Sequence, residues 1–161
     1  MIDVIVNDSS LSLDLPGGTF LLDALRNALG LSSPRFGCGA EQCGCCMVLV
    51  DDKATTSCAT SLDVVAGCNI RTVEGLGSPN SPHPLQEAFL VEQAGQCGYC
   101  LSGMLIASAA LLMSNPTPDE SAVRAALEGN LCRCGSHNRI VRAVLRAAET
   151  LKSRKPAAGH A

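Results

Sequence analysis

Leu11, Leu13 and Leu15 alternate with Ser12 and Asp14, the two-residue period of a strand with one buried face. Ile2–Val6 precedes them as another apolar run, and Asn7-Asp8-Ser9-Ser10 between the runs has the composition of a hairpin turn. The period then lengthens. Leu21, Ala24, Leu25 and Ala28 recur at helical spacing, with Thr19 placed to cap that helix and Gly30 to end it. Met47–Val50 returns to strand, turns at Asp51-Asp52 and runs back over Lys53–Thr56, and residues 69–73 are placed to close the sheet. Strands, a helix and further strands predict an α+β unit over residues 1–76.

Residues 77–84 read as a linker, because Gly77, Ser78, Pro79, Ser81, Pro82 and Pro84 break any regular element. The pattern over residues 85–150 is helical. Leu85, Ala88 and Phe89 start one helix, and Leu101, Met104, Leu105, Leu111 and Leu112 fit a second. Thr117-Pro118-Asp119-Glu120 has the form of a capping box with Pro at the first helical position. It opens a third helix holding Val123, Ala126 and Leu127. Ile140, Val141, Val144, Leu145 and Ala148 make the buried stripe of a fourth, with Arg142 and Arg146 opposite. Four short helices predict a four-helix bundle. Residues 151–161 are small and polar and read as a flexible tail. No internal repeat is visible.

Composition narrows the class. The 161 residues suffice for one domain or two small ones, and a 47% hydrophobic content allows both a packed core and large protein interfaces. Only 17% of residues are charged, and the net charge of −3 leaves no basic surplus for phosphates. With 2% aromatics and no Trp, base-stacking platforms are also lacking, so nucleic acid is not an expected partner. The longest apolar stretch, residues 101–113, is broken by Ser102, Gly103 and Ser108 and is too short to span a bilayer, so no direct membrane insertion is expected. The N-terminus shows no basic n-region and no twin arginine, and the expected location is cytoplasmic, where thiols stay reduced.

Ten cysteines in such a compartment need a reason. Scattered core thiols or disulfides do not explain why they gather in Gly-rich loops; metal ligation does. One set reads Cys38-x4-Cys43-x2-Cys46 with Cys58 further on, the spacing of a plant-type [2Fe–2S] loop. Gly37, Gly39 and Gly44 lie among these thiols, where backbone N–H groups must approach sulfur. Cys45 is set aside because Cys43 and Cys46 give the required spacing, and it is expected to point away. Cys68, alone between Gly67 and Asn69, reads as a core thiol. Structural zinc prefers paired Cys knuckles, so three cysteines in one loop with one distant favour iron–sulfur chemistry here. The other set is Cys97-x2-Cys100 and Cys132-x-Cys134, on two inter-helix turns that can meet at one end of a bundle. Taken alone, this set suits zinc equally well.

The runs FGCGAEQCGCC, EQAGQCGYC and GNLCRCGSHNRIVRAV closely resemble the iron–sulfur subunit of the molybdenum hydroxylase family, over about residues 1–150. That family includes xanthine dehydrogenase, aldehyde and isoquinoline oxidoreductases, nicotinate dehydrogenase and carbon monoxide dehydrogenase. The segment VEGLGSPNSPHPLQEAF resembles subunits of N-heterocycle hydroxylases such as nicotinate dehydrogenase. Two departures stand out: Cys45, where the family carries a small residue such as Ala, and Ala40-Glu41, where an acidic residue followed by Gly is common. Neither removes a ligand.

The resemblance implies a ferredoxin-like (β-grasp) first domain and a bundle-held second cluster. It implies two [2Fe–2S] clusters that pass single electrons away from a molybdopterin cofactor in a large partner subunit, towards an FAD subunit, a cytochrome or another acceptor. Gln96 matches a position that hydrogen-bonds the pterin, and Cys134 matches a cluster ligand whose surroundings also touch it. The bundle cluster is then nearest the pterin. Two other readings stand beside this one: a free ferredoxin-like carrier with a helical appendix, and a zinc-stabilised interaction module. His83 reads as a loop residue, His137 and Asn138 as helix-opening residues, Tyr99 as turn packing, and Arg133 as a charge beside two ligands. No nucleophile–base arrangement and no phosphate-binding glycine loop is present, so no residue is expected to be catalytic.

Overall fold

The computed structural model describes residues 1–154. Strands β1 (Ile2–Val6) and β2 (Ser9–Leu13) pair antiparallel, with Ile2 opposite Leu13 and Val4 opposite Leu11. The turn between them is only Asn7-Asp8, both at positive φ (47° and 65°), a backbone shape that short polar side chains tolerate and that matches strand twist. Ser9 and Ser10 therefore belong to β2, and Leu15 lies past its end. Asp51-Asp52 repeats the device (47° and 64°) between β3 (Met47–Val50) and β4 (Lys53–Thr56). β5 (Asn69–Arg71) lies parallel to β1 and antiparallel to β3, giving the order β2-β1-β5-β3-β4. It ends earlier than the apolar pattern suggests, because Thr72 donates its N–H to Asn7 Oδ1 at 2.9 Å instead of continuing the ladder.

Helix α1 (Leu21–Asp23) continues into a wider turn over Ala24–Ala28, where the Leu29 N–H reaches Ala24 O at 3.1 Å. Thr19 does not cap it. Phe20 holds the cap position, and the first free N–H groups bond backbone: Leu21 to Thr60 O at 2.8 Å and Leu22 to Ser57 O at 3.0 Å. Those carbonyls take the place of a side-chain cap. Leu21, Ala24 and Leu25 are buried, whereas Ala28 is exposed, turned off the inner face by the wider turn.

Four helices follow: α2 (Pro84–Val91), α3 (Leu101–Ser114), α4 (Glu120–Ala126) and α5 (His137–Arg154). Residues 77–84 are more ordered than a bare connector, since Ser78 and Ser81 exchange backbone hydrogen bonds at 3.1 and 3.0 Å and Pro84 already belongs to α2. Thr117 and Pro118 stand outside α4; Asp119 is the cap, accepting from the Ala122 N–H at 2.7 Å. α5 runs through Arg154, so the first residues of the expected tail are helical, and residues 155–161 lie outside the described residues. Among the described residues, no helix is long and apolar enough to cross a membrane.

The two halves share β3. Val48 joins a core with Val4, Val6, Leu21 and Ile70, while its neighbour Leu49 points the other way into a core with Met104, Ile106, Ile140 and Val144. Successive strand residues face opposite sides, so one strand anchors both cores. α3 is apolar nearly all round and is the central helix of the second core; α5 is apolar only along its stripe. On its outer face, Arg142 and Arg146 reach Glu92 at 3.2 and 3.4 Å. Exposed pairs of this kind contribute little.

His83 is not a plain loop residue. Its Nδ1 accepts from the Leu85 N–H at 3.1 Å, while Gln86 Oε1 accepts from the His83 N–H at 2.9 Å, a reciprocal cap on α2. Accepting at Nδ1 needs a neutral ring. Burial, then Arg154, hold its pKa below the ordinary 6.5, against an opposing pull from Glu87. Below 6.5 the unfolded chain takes up the proton more readily than the folded one. The cap's contribution is therefore full above 6.5 and is lost as the pH falls towards the folded value. A cap of this kind is worth about 0.5–1 kcal/mol. Melting curves are expected to show a Tm loss of about 2–4 °C per kcal/mol in that window. His83→Asn, which keeps an acceptor without titrating, should flatten this part of the profile; an unchanged slope would remove His83 as its origin.

Candidate metal centres

The first cysteine set sits in the loop between α1 and β3 and in the turn after β4. Cys38 is exposed at the loop tip, and Cys43, Cys46 and Cys58 are buried. The Ala40 and Gln42 N–H groups both donate to Cys38 Sγ at 3.3 Å. These bonds draw the Cys38 thiol down to about 7, so it is substantially thiolate near neutrality. Cys46 stands against the Cys58 side chain, and burial pushes it up to about 11. Its carbonyl is held by the fully buried Ser57, whose Oγ donates at 2.6 Å. Of the loop glycines, Gly39 and Gly44 have positive φ, while Gly37 leaves room: a Cβ there would meet Cys43 Sγ at 2.6 Å.

The second set forms at the ends of three helices. Cys97 and Cys100 lie in the turn leading into α3, and Cys132 and Cys134 in the turn between α4 and α5. The Tyr99 N–H and the Cys134 side chain lower the pKa of exposed Cys97. Buried Cys100 faces Cys132 and is pushed up to about 12, chiefly by desolvation. Burial also acts to raise Cys132, but N–H groups of Ser136 and Cys134 and the Cys100 side chain outweigh it, and the net shift is downward.

Within the sets, Cys38 lies beside Cys43, Cys46 beside Cys58, Cys97 beside Cys134 and Cys100 beside Cys132, and Cys45 also lies beside Cys43. Among the described residues, no three His, Cys, Asp or Glu side chains converge on one point that a single ion could take. A tetrahedral zinc site gathers four donors around one atom. A [2Fe–2S] unit has two irons and four thiolates in all, and the four cysteines of each set are the donor type and number it takes. All ten cysteines are free.

The two loops meet. The Leu131 N–H, one residue before Cys132, donates to Cys43 O at 3.0 Å. Asn130 is buried, and its Nδ2 approaches Gly44 O at 3.4 Å and Met47 Sδ at 3.6 Å. A Cβ on Gly103 of α3 would lie 1.9 Å from Gly44 O, so the helix touches the first loop backbone to backbone. Arg35 adds an outer strap: it donates to Gly98 O at 2.6 Å and lies over the Tyr99 ring at 5.4 Å, while the Tyr99 hydroxyl donates to Phe36 O.

Cys45 is buried in this contact, beside Cys43 and within electrostatic reach of Cys100, and desolvation first of all raises it to about 12. Cys68 is only half-buried, at the edge of the first core near Asp51. Gln96 is exposed and donates to Cys134 O at 3.0 Å, on the rim of a cleft lined by Phe89, Leu90, Leu101 and Arg139. His137 Nε2 lies 3.2 Å from Asn130 O, tying the start of α5 to the turn before it, and Asn138 Oδ1 accepts from Arg124 at 3.1 Å, tying α5 to α4. Asn130, Gly103 and Arg35 escape pattern reading. The only available signal is their nearness to cysteine loops.

Comparison with known proteins follows the same division. The "2Fe-2S iron-sulfur cluster binding domain" family matches residues 4–72, and the "[2Fe-2S] binding domain" family matches residues 72–145. The chain is 50% identical over 151 residues to one of the subunits of nicotinate dehydrogenase from Pseudomonas putida, covering 94% of this chain and 95% of that one. It is 44% identical to the alpha subunit of isoquinoline 1-oxidoreductase from Brevundimonas diminuta, covering 92% and 98%. Among solved structures, quinoline 2-oxidoreductase from Pseudomonas putida superposes with a TM-score of 0.89 at 34% identity, covering 96% of this chain and 97% of that one. Aldehyde oxidoreductase from Desulfovibrio desulfuricans gives 0.92 at 37% identity over 96% of this chain, which spans only 17% of that longer polypeptide. The chain belongs to the iron–sulfur small subunits of the molybdenum hydroxylase family.

Proposed function

We propose that this chain carries electrons, one at a time, out of a large molybdopterin-bearing catalytic subunit to an FAD subunit, a cytochrome or another acceptor. In this reading Cys38, Cys43, Cys46 and Cys58 hold one [2Fe–2S] cluster, and Cys97, Cys100, Cys132 and Cys134 hold the other. A bound [2Fe–2S] cluster takes up and gives back a single electron. The protein's part is to hold the thiols in pairs, to aim N–H groups at sulfur, and to keep water from the contact between the loops. The observation that carries the proposal is the bond from the Leu131 N–H to Cys43 O, which joins the neighbour of one ligand to another ligand of the opposite set. A free carrier has no use for such a join.

The helices α2 to α5 are read as the four-helix bundle that holds the second cluster, with domain limits at residues 1–76 and 85–150. Gln96 and Cys134 mark the face towards the pterin, supported by their shared hydrogen bond beside an open, largely apolar cleft. Free cysteines throughout fit a reducing compartment such as the cytoplasm. Nitrogen heteroaromatics are the first substrates to offer the complex, on the likeness to the nicotinate and isoquinoline enzymes' subunits.

Purification of the native protein through a tag on this chain tests the proposal. A much larger molybdenum-containing chain should co-elute and reduce this one when substrate is added. Elution alone, with full iron content, would favour the free carrier.

A further inference from the structure

Two short segments grip each other across the join between the cysteine loops. Arg35 and Phe36 lead into the first loop, just ahead of Cys38, and Gly98 and Tyr99 fill the turn between Cys97 and Cys100. Each segment sends a side chain to the backbone of the other. Arg35 donates from Nη1 to Gly98 O at 2.6 Å, and the Tyr99 hydroxyl donates to Phe36 O. The Arg35 guanidinium also lies over the Tyr99 ring, 5.4 Å from its centre. The Arg35 N–H is held in turn by Cys45 O at 3.1 Å. One residue is thus anchored on the first loop by its backbone and on the second turn by its side chain. It is half-buried, and none of the ion pairs among the described residues involves it. Its charge therefore faces the turn without a carboxylate to offset it.

We propose that Arg35 is a positioning residue for electron flow: its guanidinium clamps the Cys97–Cys100 turn to the first loop, and its charge raises the reduction potential of the second cluster. The inference rests on Cys97 and Cys100 being cluster ligands. One-electron reduction adds negative charge to the cluster, and a fixed cation beside it stabilises the reduced form more than the oxidised one. The hydrogen bond from Arg35 falls between two ligands of the second set, so that cluster should feel the charge more than the first. The contact also has a route to sulfur. Gly98 O and the Tyr99 N–H are the two ends of one trans peptide, and a cation on the oxygen polarises the N–H. That N–H is the chief group that lowers the Cys97 thiol.

Arg35→Gln keeps an N–H donor and removes the charge. Potentiometric titration of the holoprotein, followed by the paramagnetic signals of both clusters, separates the two potentials. In Arg35→Gln the equilibrium constant for reducing the second cluster is expected to fall roughly tenfold, the order of one unit charge in partly buried surroundings, which for one electron is about 59 mV downward. The first potential should move less. Arg35→Lys keeps the charge but loses the planar fork, and it should recover most of the shift. Tyr99→Phe removes the other half of the clamp without changing a charge. It should lower Tm by about 2–4 °C, the loss of one hydrogen bond, and leave the second potential in place. An unmoved second potential in Arg35→Gln, or equal shifts in both, overturns the proposal while leaving the ligand assignment intact. So does a shift in Arg35→Lys or Tyr99→Phe as large as that in Arg35→Gln, since geometry and not charge would then set the potential. Loss of half the iron in Arg35→Gln also overturns it, because the residue would then hold the cluster together instead of tuning it. Absence of a second signal from the native protein would sink the ligand assignment as well.

Discussion

Replacing Cys100 by serine is expected to strip the second set of its iron, leaving about two of four irons per chain, and to stop substrate from reducing the first set. Cys100 lies at the start of α3, buried, facing Cys132. Desolvation already opposes its ionisation, so bound iron would be what makes a buried thiolate tolerable there. A serine hydroxyl is a far poorer ligand and, unbound, would be a buried polar group with no partner. The first set does not share Cys100 and should keep its iron and its optical signature. Electron delivery by the catalytic partner should fall by at least about 100-fold, beyond the loss typical of changes to groups that merely support metal ligands. Iron and sulfide analysis, with rapid-mixing reduction of the complex by substrate, reads both effects. Normal reduction of the first set in a variant lacking the second would contradict the serial arrangement.

Gly103→Ala is expected to be the most damaging single methyl in the chain. A Cβ at that position would lie 1.9 Å from Gly44 O, 2.8 Å from Gly44 C and 3.2 Å from Cys45 Cα. All three are backbone atoms, so no side chain can swing away. Gly44 has no room to retreat: it has a positive φ of 70°, and its own Cα faces Asn130 Nδ2 and Gly129 O. Relief requires α3 and the first cysteine loop to separate, which would also stretch the bond from Leu131 to Cys43. Overpacking of this kind costs about 1–3 kcal/mol or more, and backbone-to-backbone contact places it at the upper end. The corresponding fall in Tm is about 6–12 °C for a chain this size. In protein that still folds, electron exchange between the two iron centres should slow, whereas Ala109→Gly, in the same helix but away from the loop, should not affect it. A Tm within a degree of native would show that the two halves do not meet as described.

Much of the fold is readable in the sequence because its signals are local. Strand alternation at Leu11 and Leu13, the aspartate turn at residues 51–52 and the stripe of α5 each depend on residues near in sequence. The misreadings share a cause: a group other than the expected side chain supplies the bond. Thr19 and Thr117 are plausible caps, yet Thr60 O and Ser57 O serve α1, and Asp119 serves α4. His83 passes for a loop residue because His is not among the usual N-cap residues, although Gln86 completes the reciprocal pair. The gathering of cysteines in short Gly-rich loops is legible in the sequence, and the fold places Cys46 beside Cys58 and Cys100 beside Cys132. The contact between the loops is invisible in the sequence. Gly103 looks like a flaw in a helix, and Asn130 like a polar turn residue, until α3 and Gly44 are brought together in space. Cys45 reads as a small side chain pointing away from the ligands, and it is buried beside Cys43.

The central claim is that the eight thiols serve two separate iron pairs in series. Reductive titration of the native chain, followed by paramagnetic resonance and by iron and sulfide analysis of the same sample, tests it most directly. The account predicts about four irons and four sulfides per chain. It also predicts two distinguishable paramagnetic signals of equal spin count that broaden each other when both are reduced. A single signal, or zinc in place of iron at either set, would contradict it.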